Sequence, residues 1–111
     1  SFYDISSKEE IRESFYHALL LGIFVNFKNY KIKSNRESGM VRPDLILTRN
    51  EGKESIVIEI KSGPRDGDAT KQLERAKRQI KLKSYGEELE GEVIKIGIGF
   101  AGKKMKLELV K

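Results

Sequence analysis

The order of helical and strand-like segments predicts an α/β protein in which a mixed sheet of four or five strands is flanked by helices. Two segments have apolar residues at helical spacing, and several short runs are rich in isoleucine and valine, with turn residues between them. The predicted order is α-β-β-β-α-β-β. Because 111 residues suffice for one hydrophobic core, we expect residues 1–111 to form a single domain.

The first helix is predicted to run from about Lys8 to Phe27. Ser7 and Glu10 have the spacing of a capping box, in which a hydroxyl and a carboxylate bind the free N–H groups at a helix start. Apolar residues then recur over residues 11–25 and form a wide apolar surface. We therefore expect this helix to pack on the sheet.

Three strands are predicted to follow. Residues 30–35 alternate apolar and polar side chains, which is typical of a half-exposed strand, and Lys31 and Lys33 would face water. The runs 41–48 and 54–61 flank a short polar turn that contains glycine. We expect these two runs to pair as an antiparallel hairpin.

A second helix is predicted from Asp66 or Asp68, either of which can cap it, to about Tyr85. Its apolar positions lie on one face, and the other face is strongly basic. The basic residues of this helix are Lys71, Arg75, Lys77, Arg78, Lys81 and Lys83.

Two more strands are predicted at residues 93–100 and 104–110. Gly97 and Gly99 lie inside the first of them, and no helix follows, so they do not form a phosphate-binding loop. We expect them to allow close backbone packing.

The composition excludes several classes of protein. Without cysteine there are no disulfides, thiolate nucleophiles or cysteine-bound metal sites, so a metal would be held by oxygen atoms or by the single histidine. No apolar run reaches the roughly 20 residues of a membrane span, and there is no signal-peptide pattern. We expect no membrane association and a cytoplasmic location. Because the chain opens at Ser1, we expect a domain excised or processed from a longer protein.

The formal net charge of +5 favours an acidic partner such as nucleic acid. A basic excess of this size is also a common way for a protein to stay in solution. The charge by itself leaves both interpretations open.

The hairpin carries the residues that indicate a site. Along residues 54–61 the three isoleucines would face a core, which leaves Glu59 and Lys61 together on the opposite face. Pairing the strands symmetrically about Glu51 and Gly52 places Asp44 directly opposite Glu59. The sequence therefore predicts two carboxylates as cross-strand neighbours.

Such a carboxylate pair is costly unless a cation compensates it. Mg²⁺ and Mn²⁺ prefer carboxylate and carbonyl oxygens, so Asp44 and Glu59, with the main-chain carbonyl near Ile60, would suit such a cation. Lys61 would orient a water molecule or stabilise developing negative charge. These groups suit phosphodiester hydrolysis. The alternative is that Glu59 and Lys61 only solvate the sheet surface.

These residues resemble a known motif. Arg42-Pro43-Asp44 followed by Glu59-Ile60-Lys61 is similar to the signature of the PD-(D/E)XK nuclease superfamily. This resemblance implies a restriction-endonuclease-like core. Residues 13–22, Gln79-Ile80 with Tyr85, and residues 96–100 further resemble the domain that follows an AAA-ATPase-like module in many bacterial and archaeal proteins.

The resemblance also implies roles for individual residues. The implied site comprises the metal ligands Asp44 and Glu59, the catalytic lysine Lys61, the acidic residue Glu13, and the accessory residues Gln79 and Tyr85. It implies Mg²⁺ or Mn²⁺ as cofactor, nucleic acid, with DNA favoured over RNA, as substrate, and an AAA-ATPase-like domain in the same full-length protein as a partner.

Two further groups leave alternatives open. Glu13 and His17 share a helix face, so His17 is a candidate accessory residue of the site, although a lone histidine in an apolar helix is more often packed. Basic residues could follow a phosphate backbone, or could form an ordinary solvated surface. The candidates are Lys71, Arg75 and Arg78 on the second helix, and Lys28, Lys31, Lys33 and Arg36 before, along and just after the first strand.

Three hypotheses follow from the sequence. The first is a metal-dependent nuclease domain. The second is a non-catalytic module that binds nucleic acid or protein, and the third is a regulatory interaction domain attached to an ATPase.

Overall fold

The computed structural model describes residues 2–35 and 41–111. Within these residues the helices and strands follow the predicted order. They are α1 (Phe2–Phe24), β1 (Tyr30–Ser34), β2 (Leu45–Arg49), β3 (Glu54–Gly63), α2 (Ala69–Leu82), β4 (Glu92–Ala101) and β5 (Lys104–Leu109).

The strands of the described residues form one mixed sheet in the order β1-β2-β3-β4-β5, so that β3 is central. β3 and β4 pair in parallel, and the other neighbouring strands pair antiparallel. α2 connects the two parallel strands, as a crossover connection requires. The predicted α/β architecture with a mixed sheet flanked by helices is confirmed.

Each face of the central sheet packs against one helix. On the α1 face, the isoleucines of β3 and the leucines of β2 form a buried cluster with Leu20 of α1. On the α2 face, Val57 of β3 packs with Ile80 and Tyr85. The predicted alternation along β3 is therefore confirmed, and Glu59 and Lys61 lie on the α2 face.

Two glycines of β4 let α2 lie close to the sheet. A Cβ atom at Gly99 would collide with the backbone of Ala69 and Leu73, and one at Gly97 would lie 3.1 Å from the side chain of Lys77. The prediction of close backbone packing is confirmed. The predicted cap is also observed, because Asp68 accepts a hydrogen bond of 2.9 Å from the N–H of Thr70.

The predicted bounds of the first helix were wrong at both ends. The helix already includes Phe2, so Ser7 and Glu10 lie inside it and do not mark its start. It ends at Phe24, and the chain then turns so that the ring of Phe27 packs between Phe24 and Tyr30. These ring contacts direct the chain into β1.

The second helix ends at Leu82, before the predicted Tyr85. Ser84 adopts a left-handed conformation with φ of 52°, and the N–H groups of Ser84 and Tyr85 bind the carbonyls of Lys81 and Ile80. This hydrogen-bond pattern is a Schellman motif, which reverses the chain after a helix. The reversal turns Tyr85 back under the helix.

No helix among residues 2–35 and 41–111 is both long and apolar enough to cross a membrane.

Candidate active site

Asp44 and Glu59 lie side by side at the end of the hairpin. The β2–β3 ladder pairs Leu45 with Ile58, and this register places Asp44 opposite Glu59, as predicted. The N–H of Asp44 donates to Glu59 Oε1 at 3.2 Å, and the N–H of Ile60 donates to Asp44 Oδ2 at 2.9 Å. Each carboxylate therefore binds the backbone of the opposite strand.

These hydrogen bonds explain why β2 begins at Leu45 and not at the predicted Val41. Pro43 has no N–H group, and the N–H of Asp44 is bound by the Glu59 side chain instead of a strand carbonyl. The two residues before the strand are thus unavailable to the ladder as donors. The end of β2 is adapted to hold the carboxylate pair.

Both carboxylates are removed from solvent, with relative exposures of 9% for Asp44 and 2% for Glu59. Burial raises the pKa of Glu59 to about 8, and the charge of Asp44 adds to this rise. Lys61 opposes it, since its Nζ lies 3.7 Å from Glu59 Oε2. The site combines two buried acids with the cationic side chain of Lys61, and its net effect is to favour the protonated form of Glu59.

The donors at this site fit a divalent cation that binds oxygen. Asp44 and Glu59 supply carboxylate oxygens, and the carbonyl of Ile60 points to the same side of β3 as the N–H that binds Asp44. Among the described residues, no cluster of three or more acidic or histidine side chains is arranged to hold a metal. A cation here would need the carbonyl and several water molecules as well, which is how Mg²⁺ is usually bound.

Comparison with protein families places this geometry in context. A family model for the PD-(D/E)XK nuclease superfamily matches residues 11–109. The chain belongs to this superfamily. The α/β architecture is consistent with its restriction-endonuclease-like fold, and its members are nucleases that typically use divalent metals. Searches of curated proteins and of solved structures found no significant match.

In this PD-(D/E)XK domain, α1 brings further acidic residues to the end of β3. Glu13 is buried, and its Oε2 accepts a hydrogen bond of 3.4 Å from the N–H of Ser62, just after Lys61. Its charge also contributes to the raised pKa of Glu59. The predicted acidic contributor therefore lies beside the carboxylate pair.

Glu9 is a neighbour that the sequence analysis missed. Its Oε1 binds Arg75 Nη2 of α2 at 2.8 Å. Burial opposes ionisation, but the hydrogen bond and charge of Arg75 outweigh it and lower the pKa of Glu9. Glu9 and Glu13 are one helical turn apart, and this spacing was a signal that could have identified Glu9.

Gln79 and Tyr85 lie together at the other side of the pair. The Gln79 amide donates to the Tyr85 hydroxyl at 3.0 Å. Burial raises the pKa of Tyr85, and the charges of Glu59 and Asp44 add to the rise although Gln79 opposes it. A cavity of about 380 Å³ is lined by residues that include Asp44, Gln79 and Tyr85. The predicted accessory residues thus line the space in front of Asp44.

His17 is held on the other face of the sheet. Its Nε2 lies 3.0 Å from the hydroxyl of Ser34, and Ser34 pairs with Leu45, whose side chain is in the α1 core. The side chain of Asp44 points to the opposite face of the sheet, because successive side chains along a strand alternate between the two faces. The structure therefore does not bring His17 together with the carboxylate pair.

The basic residues fall into different environments. Arg75 and Arg78 line a cavity of about 230 Å³ beside Lys61. Lys71 is exposed one turn before Arg75, and Lys31 and Lys33 are exposed on the edge strand β1. Lys77 instead binds Glu108 at 2.6 Å and Glu74 at 3.5 Å, so it is neutralised within the protein. Arg36 lies outside the described residues.

Proposed function

We propose that this chain is a nuclease that hydrolyses phosphodiester bonds in nucleic acid and requires Mg²⁺ or Mn²⁺. The observation that carries the proposal is the burial of Asp44 and Glu59 side by side, with Lys61 at 3.7 Å from Glu59. Membership in a nuclease superfamily supports it. A purely structural hairpin would gain nothing from two buried acids, since the desolvation penalty is large.

Each residue of the pair has a defined part in the proposal. Asp44 and Glu59 would hold the cation together with the carbonyl of Ile60. When bound, the cation supplies Lewis-acid activation of the phosphate and lowers the pKa of a water molecule. Lys61 would stabilise the negative charge that develops on the phosphate. Glu59 positions Lys61 for this task through their ion pair.

The surrounding residues would hold this arrangement in place. Glu13 anchors the end of β3 through the Ser62 N–H, and adds negative charge that favours a cation. Gln79 fixes the Tyr85 hydroxyl in front of Asp44, where both would contact the substrate. We assign His17 a packing role, because its bond to Ser34 lies on the opposite face of the sheet.

The α2 surface would bind the phosphate backbone. Arg78 lines the cavity beside Lys61, and Lys71 is exposed on the same helix. Arg75 binds Glu9 and Gln72, and would contribute through its remaining N–H groups. Lys31 and Lys33 would extend this binding surface along β1. Binding through these charges should weaken steeply with salt. We propose DNA over RNA as substrate, and attachment to an AAA-ATPase-like domain stays a prediction from the resemblance.

The test is a cleavage assay on supercoiled plasmid, single-stranded DNA and RNA with Mg²⁺ or Mn²⁺. Wild type should cleave DNA, and a chelator should stop the reaction. Asp44→Ala and Lys61→Ala should each lose nearly all activity, because they remove a metal ligand and the stabilising cation. Lys53→Ala is the matched control, since Lys53 is an exposed lysine before the other end of β3.

Equal residual cleavage by wild type, Asp44→Ala and Lys61→Ala would show that the activity comes from a contaminant and would contradict the proposal. Binding of DNA without cleavage, unaffected by divalent metal, would favour the non-catalytic binding module. Cleavage of RNA alone would correct the substrate but keep the reaction.

A further inference from the structure

The outward face of α1 is apolar and exposed to solvent. Ile11 and Phe15 expose 68% and 63% of their surface, and Leu19 and Ile23 about half. No aspartate, glutamate, lysine or arginine occurs between Glu13 and Lys28, although such residues make up 35% of the chain. An exposed helix face normally carries polar and charged side chains. This face therefore has the composition of a contact surface.

The apolar surface continues onto the edge of the sheet. Met105, Leu107 and Leu109 of β5 are each about half exposed or more. Their register partners on β4 are residues of the α1 core or packed against it, so these three side chains lie on the α1 face. α1 packs over β1 and β3 and leaves β5 uncovered on this face. We call this combined region the α1–β5 surface. It consists of Ile11, Phe15, Leu19, Ile23 and Val25 of α1 and its end, with Met105, Leu107 and Leu109 of β5.

The α1–β5 surface is large enough for a stable interface. A large apolar residue exposes on the order of 200 Å² when fully accessible, so these eight residues together expose on the order of 900 Å². Each partner of a standard protein interface buries roughly 800 Å². The largest apolar patch of a typical monomer is smaller, about 300–600 Å². The area is that of one half of a dimer interface.

Gly22 points to a close neighbour on this surface. A Cβ atom at Gly22 would meet nothing within 4 Å, and Gly22 is not among the glycines with positive φ. Within residues 2–35 and 41–111 neither packing nor backbone conformation requires glycine here, and glycine is less favourable than alanine inside a helix. Ser14, Ala18 and Gly22 follow each other at four-residue spacing, so that a second helix backbone could approach closely along this line.

We propose that the α1–β5 surface binds the same surface of a second copy of this chain, with the two α1 helices crossing antiparallel near Ala18 and Gly22. The small residues of each helix would accept the large side chains of the other, such as Phe15. The surface is thus complementary to itself in shape, with small residues facing large apolar ones.

The test measures the dimer dissociation constant by sedimentation of the 111-residue chain over a range of concentrations. Wild type should form dimers. Phe15→Glu should raise the dissociation constant at least about tenfold, because it places a charge in the apolar contact. Leu82→Glu is the matched control for dimerisation, since Leu82 is 73% exposed on α2, at the other face of the sheet. It should leave the dissociation constant unchanged.

Gly22→Leu gives a second variant that cannot be explained by misfolding. A Cβ atom at this position meets no atom of the described residues within 4 Å and leucine favours the helix, so the melting temperature of the monomer should stay equal or rise. The dimer should nevertheless weaken at least about tenfold, because the helices can no longer approach closely. In addition, Ala18→Cys should form an interchain disulfide on oxidation, in a chain that otherwise lacks cysteine.

A chain that stays monomeric at all concentrations would overturn the proposal and leave a different partner protein as the occupant. A dimer whose dissociation constant is unaffected by both Phe15→Glu and Gly22→Leu would overturn it as well, because another surface would then form the contact.

Discussion

The two ends of the β2–β3 hairpin carry the same types of residue in very different surroundings. At the turn end, Arg49 lies 3.7 Å from Glu54 and 3.6 Å from Glu51, with side chains that are 24–68% exposed. At the other end, Lys61 also lies 3.7 Å from Glu59, but the side chains are 17% and 3% exposed. The distances are nearly equal, so burial is what distinguishes the two ends.

This difference decides what the charged groups can do. Water screens the exposed pairs, which then contribute little to stability. At the buried end, burial and then the charge of Asp44 raise the pKa of Glu59 to about 8, although the charge of Lys61 opposes the rise. A buried site of this kind gains from binding a cation, whereas the turn end does not.

The largest effect should appear in cleavage. Glu59→Gln keeps the size of the side chain but removes its charge, and we expect the cleavage rate to fall at least about hundredfold, as when a key electrostatic group is lost. Glu54→Gln, at the turn end of the same strand, should change the rate by less than about twofold. The two rates are compared in one assay with Mg²⁺. Similar losses in both variants would contradict the distinction between the ends.

The stability of the metal-free protein should depend on pH through Glu59. In the unfolded chain the pKa of a glutamate is near 4.5, and in the folded chain that of Glu59 is about 8. The folded state therefore binds more protons between these values, so the stabilisation present below pH 4.5 is lost as pH rises through 8. We expect a loss of a few kcal/mol in the free energy of unfolding, measured with urea.

Glu59→Gln should flatten this decline, because glutamine does not titrate, and Glu54→Gln should not. A decline of equal size in Glu59→Gln would mean that another group causes it.

Metal binding should raise the melting temperature. A cation present at 100 times its dissociation constant stabilises the folded state by about 2.7 kcal/mol. Mn²⁺ should therefore shift the thermal transition of wild type upward, and Asp44→Ala should abolish the shift by removing one of the two carboxylates. Arg49→Ala should retain the full shift. Thermal unfolding with and without Mn²⁺ tests this. An unchanged shift in Asp44→Ala would place the cation elsewhere.

The smallest effect should come from the turn end. Arg49→Ala breaks two exposed ion pairs, and we expect it to lower the free energy of unfolding by no more than about 1 kcal/mol. Added salt should reduce even this difference, since it screens exposed charges. Chemical denaturation at low and high salt measures both. If Arg49→Ala lowers the free energy of unfolding by well over about 1 kcal/mol, and salt does not reduce the loss, then exposure does not explain the difference between the two ends of the hairpin.

The carboxylate pair itself could be predicted from the sequence, because a short turn and a two-residue alternation together fix the register of a hairpin. Glu51 and Gly52 set the turn, and Asp44 opposite Glu59 followed from it. The same alternation correctly separated the core isoleucines from Glu59 and Lys61. Gly97 and Gly99 were likewise understood from their place inside a strand. All of these properties depend on residues that are near each other along the chain.

The tertiary structure decided which distant side chains join that pair. Arg75 was predicted to bind nucleic acid, and the approach of α1 to α2 also pairs it with Glu9, which the sequence did not indicate. His17 was placed with Glu13 by helical spacing, yet the direction of α1 over the sheet takes it to Ser34. Contacts between separate elements depend on how those elements pack, and no local pattern encodes this. The sequence by itself therefore determined the carboxylate pair and its lysine, while the packing of two helices determined its surroundings.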